Sequence, residues 1–134
     1  MVPDLPPTIV GLSLRCDRRA PRLARRALED ALEAAPVLDD ARLVASELVN
    51  NAVLHSGCEA ADILRVMARL DDGFLVISVH VPDSQLPAGE LRQHEEDLET
   101  DALGLRVVEH LADRWGSENP DGRRVWAALP IGTA

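Results

Sequence analysis

Ser46-Glu47-Leu48-Val49-Asn50-Asn51-Ala52-Val53-Leu54-His55 lies near the middle of the chain, and its spacing decides how the rest is read. The surrounding pattern predicts an amphipathic helix from about Asp39 to Ser56. At about 3.6 residues per turn, Glu47, Asn51 and His55 stand on adjoining turns of one edge. Ala41, Val44, Ala45, Leu48, Val49, Ala52 and Val53 form a broad apolar arc on one side of that edge, and Leu43 and Leu54 flank its other side. A carboxylate and an amide held between apolar neighbours need partners once they are partly buried. Spacing alone fits equally well an edge whose polar groups face water, so a ligand for it has to be sought elsewhere in the chain.

Composition narrows the search. The 134 residues suit one domain with one core, with residues 1–7 as a loose proline-rich arm and 8–134 as the folded unit. Aromatic residues make up only 2%, too few for stacking platforms on single-stranded nucleic acid. A net charge of −9 argues against nucleic acid or an anionic membrane as the main partner. All 14 basic residues are arginine. Without lysine, a GxxxxGK[ST] phosphate loop and Schiff-base chemistry are excluded. No apolar run approaches the ~18 residues of a membrane span, and no secretory leader is expected. Cys16 and Cys58 have no metal-binding spacing and require no disulfide, so a reducing cytoplasm is the expected compartment.

The flanking segments predict an α+β fold. Thr8–Arg15 alternates as a strand through Ile9, Leu12 and Leu14. Asp17 offers an N-cap and Pro21 fits a first turn for a helix running to about Ala35. Its arginines (Arg18, Arg19, Arg22, Arg25 and Arg26) read as a solvated face. Gly57 suits a left-handed stop for the central helix. Strands at 63–70 and 74–81 follow, joined by Asp71-Asp72-Gly73, and the second is apolar enough to be central. Glu90 to Asp101 is acidic and reads as a long loop. A third helix is expected from about Leu103 to Trp115, capped by Thr100 or Asp101 and ended by Gly116, with a turn at Asn119-Pro120-Asp121-Gly122. The last strand is Arg124–Leu129, with one further short strand before it left open, and Trp115 and Trp126 read as core. The order predicts a two-layer sandwich, a mostly antiparallel sheet with helices on one face.

In this order the polar helix edge, the Asp83 turn and the start of the third helix can converge. A helix N-terminus suits phosphate. The Asn51 carboxamide is a hard oxygen donor of the kind Mg²⁺ accepts beside waters and phosphate oxygens. A glutamate one turn away can orient or deprotonate a hydroxyl or water. Asp83 can accept a hydrogen bond from an exocyclic amine. These parts describe a nucleotide pocket without lysine.

Four segments, in order, resemble one family. Glu47-Leu48-Val49-Asn50-Asn51-Ala52-Val53-Leu54-His55-Ser56-Gly57 is similar to the N-box of the GHKL ATPase and histidine-kinase superfamily, in the form used by its anti-sigma-factor, serine-kinase-like branch. Val81-Pro82-Asp83-Ser84-Gln85-Leu86-Pro87 resembles that branch's adenine-binding Asp box. The stretch from Gly104 to Gly116 is similar to its GRGLxLVxxLADRWG segment, and Gly122-Arg123-Arg124-Val125-Trp126-Ala127 to its closing GKxVWA strand.

The resemblance implies ATP or ADP with Mg²⁺ as ligands. It implies Glu47 as general base or water-orienting carboxylate and Asn51 as the Mg²⁺ ligand. Asp83, with Pro87 closing the same box, would hold adenine, and Gly104 and Leu105 would approach the phosphates. His55 fits either a ligand contact or a structural hydrogen bond, while Glu109 and Asp113 read as surface residues. A sigma factor, a STAS-type anti-sigma antagonist, or both are the implied partners, with a homodimer as the implied assembly. If the chain is active, it would be a serine/threonine protein kinase. The alternative is a GHKL-fold adaptor with weak or no turnover. It is prompted by departures: the family's Gly-Arg pair falls at Ala102 and Leu103, and its closing-strand lysine at Arg123.

Overall fold

A computed structural model of the chain describes residues 8–82, 105–118 and 122–131. The best-defined local signal is the hairpin between β2 (Ile63–Asp71) and β3 (Phe74–Pro82). Asp72 and Gly73 both take positive φ, 51° and 85°, which two-residue turns need to match the twist of the strands they join. Register then runs from Asp71 opposite Phe74 to Arg65 opposite His80. Around this hairpin, β1 (Thr8–Arg15) pairs with β2, β5 (Gly122–Pro130) with β3, and β4 (Arg114–Glu118) with β5. Every pairing is antiparallel, in the order β1-β2-β3-β5-β4.

Strand alternation sorts the side chains. Leu64, Val66, Ala68, Leu75, Ile77, Val79, Val125, Ala127 and Leu129 are buried. They meet the helices α1 (Ala20–Leu32), α2 (Leu38–His55) and α3 (Arg106–Leu111). The other face carries Arg65, Met67, Arg69, His80 and Arg124 around an open hollow. The fold is therefore the expected α+β sandwich with one covered sheet face. Helix α2 follows its predicted span closely, with acidic Asp39 and Asp40 in its first turn and Gly57 at φ 85° just beyond its end. Helix α1 stops at Leu32, short of Ala35, where Glu33 turns to φ 48°. Its entry is shaped by Asp17, whose carboxylate accepts from the Arg19 backbone N–H at 2.9 Å. Arg18, Arg19, Arg22 and Arg26 are exposed, whereas Arg25 is half-buried and donates to Ser46 Oγ at 2.8 Å, tying α1 to α2.

The structure corrects four expectations. The third helix ends at Leu111 rather than Trp115: Ala112 is extended, and the Asp113 N–H already donates to Ala128 O at 2.8 Å. From there Arg114–Glu118 pairs with β5, so Trp115 and Gly116 belong to a strand and the short extra strand exists. Trp126 is half-buried on the uncovered sheet face opposite Gly116, where a Cβ would come within 3.3 Å of its ring. In β1 Val10, not Ile9, is the buried position, because it alternates in regular register with Leu12 and Leu14, whereas Ile9 lies where the register shifts.

The fourth correction concerns the cysteines, which are joined by a disulfide across a sequence separation of 42. The end of β1 and the segment after α2 meet at one end of the sandwich, a proximity that cysteine spacing does not reveal. Closing a loop of this length restricts the unfolded chain by about 4 kcal/mol. The arm at 1–7, the acidic stretch 90–101, the caps Thr100 and Asp101, and most of the 119–122 turn lie outside the described residues.

One-sided burial predicts unequal responses along β3. Ile77→Ala, at a fully buried position, should cost about 2–5 kcal/mol in urea unfolding, and Val76→Ala on the uncovered face less than about 1 kcal/mol. Equal losses would show that the open face is packed as well.

Candidate functional site

Helix α2 lies over β3 and β5, so its polar edge is held against the sheet by neighbours such as Leu48 and Val49. Asn51 sits where that edge dips inward and is only 5% exposed. Its Oδ1 is buried with no hydrogen-bond partner among the described residues. An unmatched buried amide oxygen costs about 1–3 kcal/mol, so it marks either strain or a place reserved for a ligand. Beside it opens a narrow cleft of about 20 Å³ lined by Asn51, Ala52, His55, Ser56 and Arg123 on an apolar floor including Val79 and Val81.

The end of α2 shapes one wall. His55, the last helical residue, is half-buried, and Ser56 is buried. The Ser56 N–H donates to Ala52 O at 3.2 Å, and Ser56 Oγ accepts from the Cys58 N–H at 3.2 Å. Arg123 forms the opposite wall from the first turn of β5, directly across from Val81 on β3. Burial lowers its pKa from the ordinary arginine value to about 10, which leaves the guanidinium charged at neutral pH and its charge only partly solvated. An anion in the cleft would restore part of that lost solvation.

The predicted residues are not all brought together. Asn51 and His55 line the cleft, and Glu47 is half-buried on the same helix one turn before Asn51. Leu105 packs its side chain in the core immediately before α3, leaving its backbone as the part that can meet a ligand. Asp83, Pro87 and Gly104 lie outside the described residues, as do Ala102 and Leu103. Glu109 and Asp113 are exposed, as expected. Reading the sequence missed Arg123 and Ser56 as cleft walls. For Arg123 the signal was present, because alternation from Val125, Ala127 and Leu129 puts residue 123 on the covered face.

Among the described residues no cluster of three or more His, Cys, Asp or Glu side chains can hold a metal ion. Were Mg²⁺ to bind in this cleft mainly through water and phosphate oxygens, Asn51 Oδ1 is a side-chain oxygen that would hold it. The broader hollow on the uncovered sheet face, rich in Arg65, Arg69, Arg114 and Arg124, lies on the other side of the sheet from Asn51.

A two-layer sandwich whose central helix turns a buried, unmatched amide toward a cleft over an antiparallel sheet is the architecture of a GHKL-type ATPase domain. A comparison with protein-family models matches residues 15–129 to the histidine kinase-like ATPase domain, and the chain belongs to that family. No curated protein matches it. No helix among the described residues is long and apolar enough to cross a membrane.

The unmatched oxygen gives a direct test. Asn51→Leu should leave the ligand-free protein as stable as before or raise it by about 1 kcal/mol, because an apolar side chain removes an uncompensated polar group. A loss above about 2 kcal/mol in thermal or urea unfolding would assign Asn51 a structural partner instead.

Proposed function

We propose that the chain is an ATP- and Mg²⁺-binding regulatory protein of the anti-sigma type, acting on a sigma factor, an anti-sigma antagonist, or both. The observation that carries the nucleotide reading is the buried, unmatched Asn51 Oδ1 facing a cleft within a fold of this family. In this reading Asn51 supplies the protein oxygen to Mg²⁺, and Arg123 offers a charged donor to the nucleotide. Glu47 accepts the proton of an attacking serine or threonine hydroxyl as phosphate is transferred. Mg²⁺ contributes charge neutralisation on the phosphate oxygens. Asp83 holds the adenine amine, and Gly104 the phosphates. The chain works as a homodimer in the cytoplasm, where ATP and transcription factors meet. The anti-sigma role and the partner classes rest on the resemblance of the four sequence segments.

A second reading has its own support. The cleft is narrow and one wall is the side chain of Arg123, and Ala102 and Leu103 replace the Gly-Arg pair of the family's phosphate segment. An adaptor that retains the fold, binds nucleotide weakly and acts by protein–protein contact fits those features.

Calorimetry separates the readings. Millimolar-or-tighter ATP or ADP binding that requires Mg²⁺ and vanishes in Asn51→Ala or Asp83→Ala is expected for the first, and absence of heat with either nucleotide rejects it. Glu47→Ala should retain binding and abolish phosphate transfer to a protein substrate; transfer at the wild-type rate would remove Glu47 from the chemistry. For the adaptor reading, restoring Ala102→Gly with Leu103→Arg should raise nucleotide affinity, and an unchanged affinity counts against it.

A further inference from the structure

The Cys16–Cys58 disulfide closes a covalent loop that contains α1 and α2 whole. One end of the loop follows β1, where the Cys16 N–H donates to Asp62 O at 2.9 Å. The other end reaches the candidate site. The Cys58 N–H donates to Ser56 Oγ, and Cys58 Sγ lies 3.6 Å from Ala52 O, the residue after Asn51. The bond therefore bears on the same turn that presents Asn51, His55 and Ser56 to the cleft.

The two sulfurs differ in access. Cys16 is 4% exposed, whereas Cys58 is only half-buried. If the cleft holds a nucleoside triphosphate, the chain works where thiols are kept reduced, and disulfides formed there are transient and regulatory rather than permanent. A bond spanning the helical layer beside such a cleft is placed to respond to redox state.

We infer that Cys16 and Cys58 form a reversible thiol–disulfide site that sets ligand affinity at the end of α2. Bonded, the pair holds the Ser56–Cys58 segment against the start of α1 and keeps the cleft wall in place. Reduced, it frees that segment. In the reducing direction, a thiolate of a dithiol reductant attacks the accessible Cys58 Sγ, the sulfur–sulfur bond breaks, and its electron pair leaves on Cys16 Sγ, which takes a proton from solvent. The reductant's second thiol then attacks the mixed disulfide at the reductant's own sulfur. Cys58 departs as a thiolate and is protonated, and the reductant leaves as a cyclic disulfide. Two electrons and two protons pass from the dithiol to the protein. A small-molecule disulfide reverses the sequence.

The ligand half of this inference rests on the nucleotide reading above, so the test uses two readouts on the full chain. Mg²⁺–ATP affinity and amide hydrogen exchange over residues 52–58 are compared for the oxidised protein and the protein reduced with dithiothreitol. Reduction should weaken Mg²⁺–ATP binding about tenfold, a modest coupling between two sites, and accelerate exchange at Ser56 and Cys58. Cys16→Ser should reproduce the reduced behaviour and lose its response to dithiothreitol. Should that variant fail to fold, the wild-type comparison carries the test alone. If neither form binds Mg²⁺–ATP but exchange at the end of α2 still rises on reduction, the nucleotide reading fails and the redox site stands. Equal affinities with unchanged exchange, or two free thiols in the protein as oxidised by a small-molecule disulfide, would overturn the inference.

Discussion

Packing of the apolar side of α2 onto β3 and β5 is the constraint on which the rest of this molecule depends. Val44, Leu48 and Val49 are buried against a sheet face built from Leu75, Ile77, Val79 and Leu129. Removing that much apolar surface from water is the main source of stability open to a chain of this size. It also fixes the rotation of α2, and with it the direction in which the polar edge points. Asn51 is drawn below the surface as a consequence, while Leu43 and Leu54 stay exposed on the outer side of the same helix. The site is thus a by-product of helix rotation, set by residues that touch no ligand.

That placement works against stability. A buried amide oxygen without a partner among the described residues, beside a partly desolvated guanidinium, is an arrangement that folding alone does not favour. The surrounding scaffold tolerates it because the cost is small next to the burial of the core, and because further ties secure the helical layer. Arg25 reaches Ser46, Arg42 bridges Glu29 and Asp39, and the disulfide closes the layer covalently. The exposed ion pairs among these contribute little each. The disulfide stabilises more than they do, and the end it secures is the end that forms the cleft.

Local chemistry makes much of this fold readable from sequence. The Asp72-Gly73 turn, the apolar run of β3, the acidic first turn of α2 and its Gly57 stop each depend on neighbours within a few residues. What escapes such reading depends on partners far along the chain. Arg114–Glu118 carries almost no alternating apolar pattern and becomes a strand only because β5 offers an unpaired edge. Trp126 reads as core by its chemistry, yet strand alternation turns it to the uncovered face. The pairing of Cys16 with Cys58 follows from the ends of β1 and α2 meeting, which no spacing rule encodes. At the site, Asn51 and His55 are legible through helical periodicity and the resemblance, whereas Arg123 is legible through strand alternation and as a departure from the family's lysine. Asp83, Pro87 and Gly104 follow from the resemblance and fall outside the described residues.

The central claim, that the α2 edge is a nucleotide and Mg²⁺ site, is tested most directly by following individual side chains in solution. Nuclear magnetic resonance of the Asn51 amide, the His55 ring and the Arg123 guanidinium, titrated with ATP in the presence and absence of Mg²⁺, reads the cleft itself. Saturable shifts at all three groups, with the Asn51 shift dependent on Mg²⁺, are the predicted result. Silent signals at Asn51 and Arg123, or shifts confined to the uncovered sheet face around Trp126, would contradict it.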